Sequence, residues 1–157
     1  MRLTASISVA LAFVAGVVMA PNVARLLPSA FAQAATALPA LEPMIIDIGA
    51  LKDADLNATA FPDLRAKGLV TTANATLGVQ MGNVGKHFHT NSDEIQYIVE
   101  GSGTAWLGDQ QREIRPGMLL IIPKGTHHAG TVVTSGRFKA LAIKIPPQAA
   151  TDTTFVN

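Results

Sequence analysis

Three side chains within eight residues could do chemistry together: His87, His89 and Glu94, in the stretch Lys86 to Gly101, KHFHTNSDEIQYIVEG. The histidines stand at i and i+2. Side chains alternate faces along a β-strand, so in an extended stretch both imidazoles point the same way. Thr90 to Asp93, TNSD, is a polar cluster of the kind that turns a chain. Glu94 then opens a second apolar run, EIQYIV. A turn at TNSD brings Glu94 back beside the histidine pair. Two imidazoles and a carboxylate on one face are donors for a first-row divalent ion, short of at least one further ligand.

A second stretch supplies that ligand. Gly117 to Gly130, GMLLIIPKGTHHAG, carries an apolar run, a Pro-Lys-Gly turn signal and then His127-His128. All four histidines of the chain lie in these two stretches. A lone histidine usually reads as a satisfied core or surface residue. Four of them grouped as HxH and HH, with a glutamate at this offset, read as a metal site, its fourth ligand either His127 or His128.

The first stretch resembles the first cupin motif: His87, Phe88, His89, four residues, Glu94, six residues and Gly101 match it. The second resembles the second cupin motif through Gly117, five residues, Pro123, Lys124, Gly125, two residues and His128. The resemblance assigns the fourth ligand to His128, giving the set His87, His89, Glu94 and His128. Two positions depart from the pattern. Gly82 leaves four residues before His87, one fewer than the motif has, and Val132 stands where the motif closes on Asn. Neither position ligates metal. The motifs imply a fold, not a reaction, because one fold hosts many functions.

The elements that must position these ligands read as strands. Met44 to Ile48, MIIDI, is expected as a first strand, and Leu51 to Gly68 as a loop or short helix. Leu69 to Met81 alternates small, β-branched and polar residues as one run. His87 to His89, Glu94 to Glu100, Gly103 to Leu107, Gln111 to Arg115, Met118 to Ile122, His127 to Thr134 and Arg137 to Ile145 complete the set. Gly101-Ser-Gly reads as a hairpin and Thr134-Ser-Gly as a link. Short strands with regular Gly-bearing turns give an all-β sandwich or barrel. The cupin resemblance narrows this to a jelly roll, a double-stranded β-helix, over residues 44–147, with a tail over 148–157 and, by family habit, a homodimer.

On a strand starting at Glu94, the same face carries Gln96 and Ile98, the expected pocket residues. Phe88 and His127 face away from the metal, and Trp106 belongs to the core. Neither motif places an Arg or Lys beside the metal, so no anion clamp is expected.

Composition sets outer limits. A chain of 157 residues with 48% hydrophobic and 15% charged residues can bury one domain core. The apolar excess lies at the start: Leu3 to Ala20 is almost wholly apolar after Met1-Arg2, and Ala30-Phe31-Ala32 is a small-residue cleavage pattern. Residues 1–32 are therefore expected to be a secretory signal peptide of bacterial type, and the protein periplasmic or secreted. The alternative is an uncleaved membrane anchor. Residues 33–43, rich in Ala and Pro, form a flexible lead-in. Cleavage removes Arg2 and Arg25, leaving 10 basic against 11 acidic residues, so the formal charge of +1 carries no hint of nucleic-acid binding. The absence of cysteine leaves no thiolate donor. Imidazole and carboxylate suit Fe, Mn, Ni, Co, Zn and Cu(II) and disfavour Cu(I).

Three neutral imidazoles and one carboxylate leave a divalent centre at about +1, with one or two open positions. Open positions distinguish reactive from structural sites. The expected function is a metal-dependent oxidoreductase, dioxygenase-like, acting on a small organic substrate. The alternatives are a non-catalytic small-ligand or metal-binding protein of the cell envelope, and a metal-dependent isomerase, lyase or decarboxylase. A sugar-binding or storage protein with a vestigial site fits poorly with an intact ligand set.

Overall fold

Apolar and β-branched residues alternating with polar ones along most of the chain produce strands, and antiparallel pairing closes them around the histidines. The computed structural model describes residue 38 and residues 40–156. The leader expected over 1–32 and the first part of the lead-in lie outside the described residues. Nine strands form: β1 (Asn57–Ala58), β2 (Leu64–Thr71), β3 (Thr76–Gly82), β4 (His87–Phe88), β5 (Asp93–Leu107), β6 (Gln110–Ile114), β7 (Leu119–Ile122), β8 (His128–Ile145) and β9 (Thr154–Phe155). The one helical element among the described residues is a 3-10 turn, Asp53–Asp55. No described helix is long and apolar enough to cross a membrane.

Strand order runs β1-β2-β3-β8-β4-β9, and β5 pairs with β6, β7 and β8. Every pairing is antiparallel. The sheet curls on itself through the long β5–β8 pairing, giving the jelly roll expected from the motifs. Ile98, Ala105, Ile114, Phe138 and Ala140 form one core cluster. Leu56, Val79 and Met81 form another, covered by Ile48, Leu51, Leu69 and Leu141.

Several local expectations change. Leu51 to Gly68 is more than a loop or short helix, since the 3-10 turn there is followed by β1 and the start of β2. Met44 to Ile48 is not a strand; no neighbouring strand pairs with it, and Met44, Ile45 and Ile46 stand exposed. Leu69 to Met81 is not one run but part of the β2–β3 hairpin, turning at 72–75. That turn lacks Gly and Pro; the Thr72 hydroxyl accepts the N–H groups of Asn74 and Ala75 at 3.2 and 3.0 Å instead. Gly101-Ser-Gly is not a hairpin, and Thr134-Ser-Gly does not separate two strands. Both lie inside continuous strands, β5 and β8, where Ser102 pairs with Ser135. The tail is not free either, since β9 pairs with β4 through His87 and Phe155.

The two long strands bend together at that serine pair, where the register shifts. Such bulges let one strand serve two parts of a curled sheet. Gly101 holds φ at +83°, and a Cβ there would lie 2.7 Å from Phe138 Cα. Gly108 also has positive φ, +62°, but faces open space. Gly101→Ala should therefore destabilise the domain clearly more than Gly108→Ala, which incurs only the left-handed backbone cost of about 1–2 kcal/mol. Urea unfolding of both variants measures this; equal losses would mean that the close strand approach does not limit the fold.

Candidate metal centre

The antiparallel register delivers the ligands to one place. His87 on β4 pairs directly with His128 on β8. Glu94 on β5 lies opposite Lys144 on β8 and Ile122 on β7. His89 follows β4 by one residue. His87, His89, Glu94 and His128 are all buried. One ring nitrogen from each of the three histidines lies within 4.8 Å of the others. Glu94 Oε2 is 3.1 Å from Nε2 of both His89 and His128.

Each imidazole is oriented by a backbone carbonyl. His87 Nδ1 lies 2.9 Å from the Gly85 carbonyl, His128 Nδ1 2.9 Å from that of Thr126, and His89 Nδ1 2.6 Å from that of Asp152. A carbonyl only accepts, so Nδ1 carries the proton in all three rings and Nε2 presents a lone pair. This is the arrangement by which metal-ligating histidines are held. The Nε2 lone pairs of His89 and His128 then meet a carboxylate oxygen at hydrogen-bond distance with no proton of their own to share. A cation resolves that conflict, and this donor set fits a divalent metal.

One cation already reaches the group. The Lys144 ammonium lies 2.5 Å from Glu94 Oε2 and 2.8 Å from His89 Nε2, and its side chain is buried. This corrects the expectation that no lysine stands beside the metal ligands. The signal lay in the last strand's alternation: Ala140, Ala142 and Lys144 are buried on the face toward the ligands, while the larger Leu141, Ile143 and Ile145 lie on the opposite face, where Leu141 packs on the second core cluster. A reader who places the bulky apolar face inward puts Lys144 on the outside.

The other named residues divide. Gln96 borders the cavity, and its Nε2 donates to Glu94 Oε1 at 2.8 Å. Ile98 faces inward but lies deeper, fully buried in the core cluster rather than on the cavity wall. His127 turns from the centre and packs its ring 5.5 Å from that of Phe88. Trp106 is half-buried beneath the Lys86 ammonium, 3.8 Å from the ring centre.

Asp152, in the segment expected as a tail, completes the support. Its carboxylate accepts the backbone N–H groups of Thr90, Asn91 and Ser92 at 2.8, 3.0 and 3.1 Å. It thereby fixes the TNSD turn between His89 and Glu94, while its carbonyl orients His89. Nothing in local sequence spacing points across the 60 residues from Ser92 to Asp152.

The cavity beside the ligands measures about 110 Å³ and is lined by polar groups that include Gln80, Gln148 and Thr153. A larger hollow of about 400 Å³, beside β6 and β7, contains none of the ligands. The smaller cavity is therefore where chemistry at the centre would occur.

Burial first and the nearby His128 second push the His87 imidazole down to about 4. His87 is thus neutral at pH 7 and available to a metal. Burial raises the Glu94 pKa, and with both Nε2 atoms bare the Lys144 ammonium against Oε2 is what lowers it and keeps the carboxylate ionised. In the metal-free protein, unfolding releases His87 to its ordinary value of 6.5, where it takes up a proton that the folded chain refuses. Stability should therefore fall as pH drops from about 6.5 to about 4, and His87→Gln should flatten part of that slope in urea titrations. An unchanged slope would contradict the burial argument. Asp152→Ala should weaken zinc affinity about 10- to 100-fold in chelator competition, because it frees the His89 support; wild-type affinity would mean that Asp152 does not position the ligands.

Comparison with known proteins agrees with this geometry. Residues 76–144, which span β3 to near the end of β8, match the family described as Cupin domain. Over 67 residues the chain is 34% identical to an uncharacterised protein of Methanocaldococcus jannaschii, covering 43% of this chain and 54% of that one. It is 34% identical over 88 residues to Protein SchB of Streptomyces halstedii, covering 52% and 64%. The chain thus spans between about half and two thirds of the length of these curated relatives. Among solved structures, the Streptomyces nucleoside dehydratase Pac13 superposes with a TM-score of 0.53 at 15% identity, covering 68% of this chain and 88% of that one. At that identity the likeness concerns the fold. With two motif-bearing stretches on a jelly roll and three histidines grouped in its interior, residues 76–144 carry a cupin domain.

Proposed function

We propose that this cupin is a metal-dependent enzyme of dioxygenase type, acting on a small organic substrate at the centre formed by His87, His89, Glu94 and His128. The observation that carries the reading is the convergence of bare Nε2 lone pairs on a buried carboxylate, with every Nδ1 committed to a backbone carbonyl. A divalent ion held there supplies Lewis acidity and open positions for substrate and dioxygen. In a dioxygenase reaction both oxygen atoms enter the substrate, which provides the electrons, so no separate reductant is required.

The chain's own residues fill the remaining roles. Gln96 holds Glu94 through Oε1 and leaves Oε2 toward the histidines. The cavity, below the common range of about 300–1,000 Å³ for ligand pockets, selects a small substrate. Tyr97, Leu119 and Ile121 are exposed on the paired strands β5 and β7 and form the face a second copy would cover in a homodimer. The leader reading places the reaction in the periplasm or outside the cell.

Purified as the full chain without a metal-binding tag, the protein should retain about one equivalent of Fe, Mn, Ni or Cu by elemental analysis. Oxygen-electrode screens with enolic and carboxylate substrates should show substrate-dependent uptake that His89→Ala abolishes. Zinc alone, without oxygen uptake, would turn the reading to lyase, isomerase or binding roles. No metal retained or taken up would overturn it.

A further inference from the structure

Among the described residues lining the cavity, Lys144 supplies the one ammonium and Glu94 the one carboxylate. In the metal-free arrangement these two neutralise each other. The arrangement changes if Glu94 serves a metal. Three neutral imidazoles, Glu94 and a divalent ion sum to about +1, and Lys144 adds a second positive charge in the same buried space. Its remaining neighbours on the cavity wall are the amides of Gln80, Gln96 and Gln148, the Thr153 hydroxyl and apolar groups. The Asp152 carboxylate also acts on Lys144, but it is held by the amides of residues 90–92 and does not line the cavity. With Glu94 on the metal the loaded site still carries a net positive charge, which an anion beside Lys144 would offset.

Resting on the metal-centre reading above, we infer that Lys144 is the anion receptor of the cavity and that the substrate is a small carboxylate. The β8 backbone at Lys144 is fixed between Thr76 on β3 and Glu94 on β5, so the side chain enters the cavity in either state. When Glu94 and the His89 Nε2 turn to the metal, the ammonium leaves both of them for the cavity, where a ligand carboxylate replaces Glu94 as its partner. Size agrees with this class. At about 30 Å³ per water, 110 Å³ holds about four waters or one short-chain organic acid. The neutral glutamines around the wall can hydrogen-bond a polar substrate but bring no competing charge. Specificity for an acid over its uncharged analogue then belongs to Lys144, whereas the metal sets reactivity.

The test uses the full chain loaded with zinc, which is redox-inert, with stoichiometry checked by elemental analysis. Calorimetric titrations compare propionate with propionamide, which has nearly the same shape and no charge. Wild type should prefer propionate by at least about tenfold, the scale of one charge-assisted hydrogen bond. Lys144→Met should keep its zinc and lose that preference; Lys144→Gln, which keeps a polar head, serves if the methionine variant does not fold. Zinc-loaded wild type with no preference would overturn the inference alone. Undiminished preference in the Lys144 variants would also overturn it, since the metal would then be binding the acid unaided. A chain that takes up no zinc overturns the metal centre and the inference together.

Discussion

The structure depends on three hydrogen bonds that face away from the chemistry. His87, His89 and His128 each give their Nδ1 proton to a backbone carbonyl, at Gly85, Asp152 and Thr126. Those carbonyls belong to three separate segments: the approach to β4, the stretch before β9 and the loop before β8. Fixing the tautomer in this way leaves three bare Nε2 lone pairs, and those of His89 and His128 meet the Glu94 carboxylate. Acceptors gathered without donors are unstable unless a cation joins them. Lys144 meets part of that demand in the metal-free chain, and a divalent ion would meet all of it.

The fold serves this constraint at some cost to itself. Burying Glu94 and Lys144 is tolerable only as a pair, and such pairs are weak contributors to stability. The barrel offsets them with ordinary core packing around Ile98 and Phe138, and with a long β5–β8 ladder. That ladder brings Glu94 opposite Lys144 while its far end brings Leu107 opposite His128. One pair of strands thus sets the relation between two ligands 34 residues apart in sequence. The shared bend near Gly101 and Gly136 makes this possible, because straight strands could not serve both regions.

What could be read from sequence followed from short-range spacing. His87, His89 and Glu94 lie close enough in the chain for alternation and one polar turn to predict their grouping. His128 was distinguished from His127 only by resemblance to a motif; from residue types alone the two were equivalent. Strand alternation placed Glu94, Gln96 and Ile98 on one face but could not give depth, so a cavity residue and a core residue looked alike. Lys144 and Asp152 escape for different reasons. Lys144 lies on the small-residue face of β8, which reads as the outer face when bulky residues are taken to point inward, and Asp152 reaches the turn at residues 90–92 from a segment outside the strands with no local signature. The strand breaks expected at Gly101 and Gly136 failed because glycine marks a bend inside a ladder as readily as the end of one.

The measurement that tests the central claim most directly is a long-range proton–nitrogen NMR correlation of the four histidines in metal-free protein, followed through a zinc titration. The account predicts Nδ1–H tautomers with bare Nε2 atoms at His87, His89 and His128. It also predicts that those three Nε2 signals move together on zinc addition while His127 stays in place. An Nε2–H tautomer at any of the three, or zinc shifts at His127 instead, would contradict it.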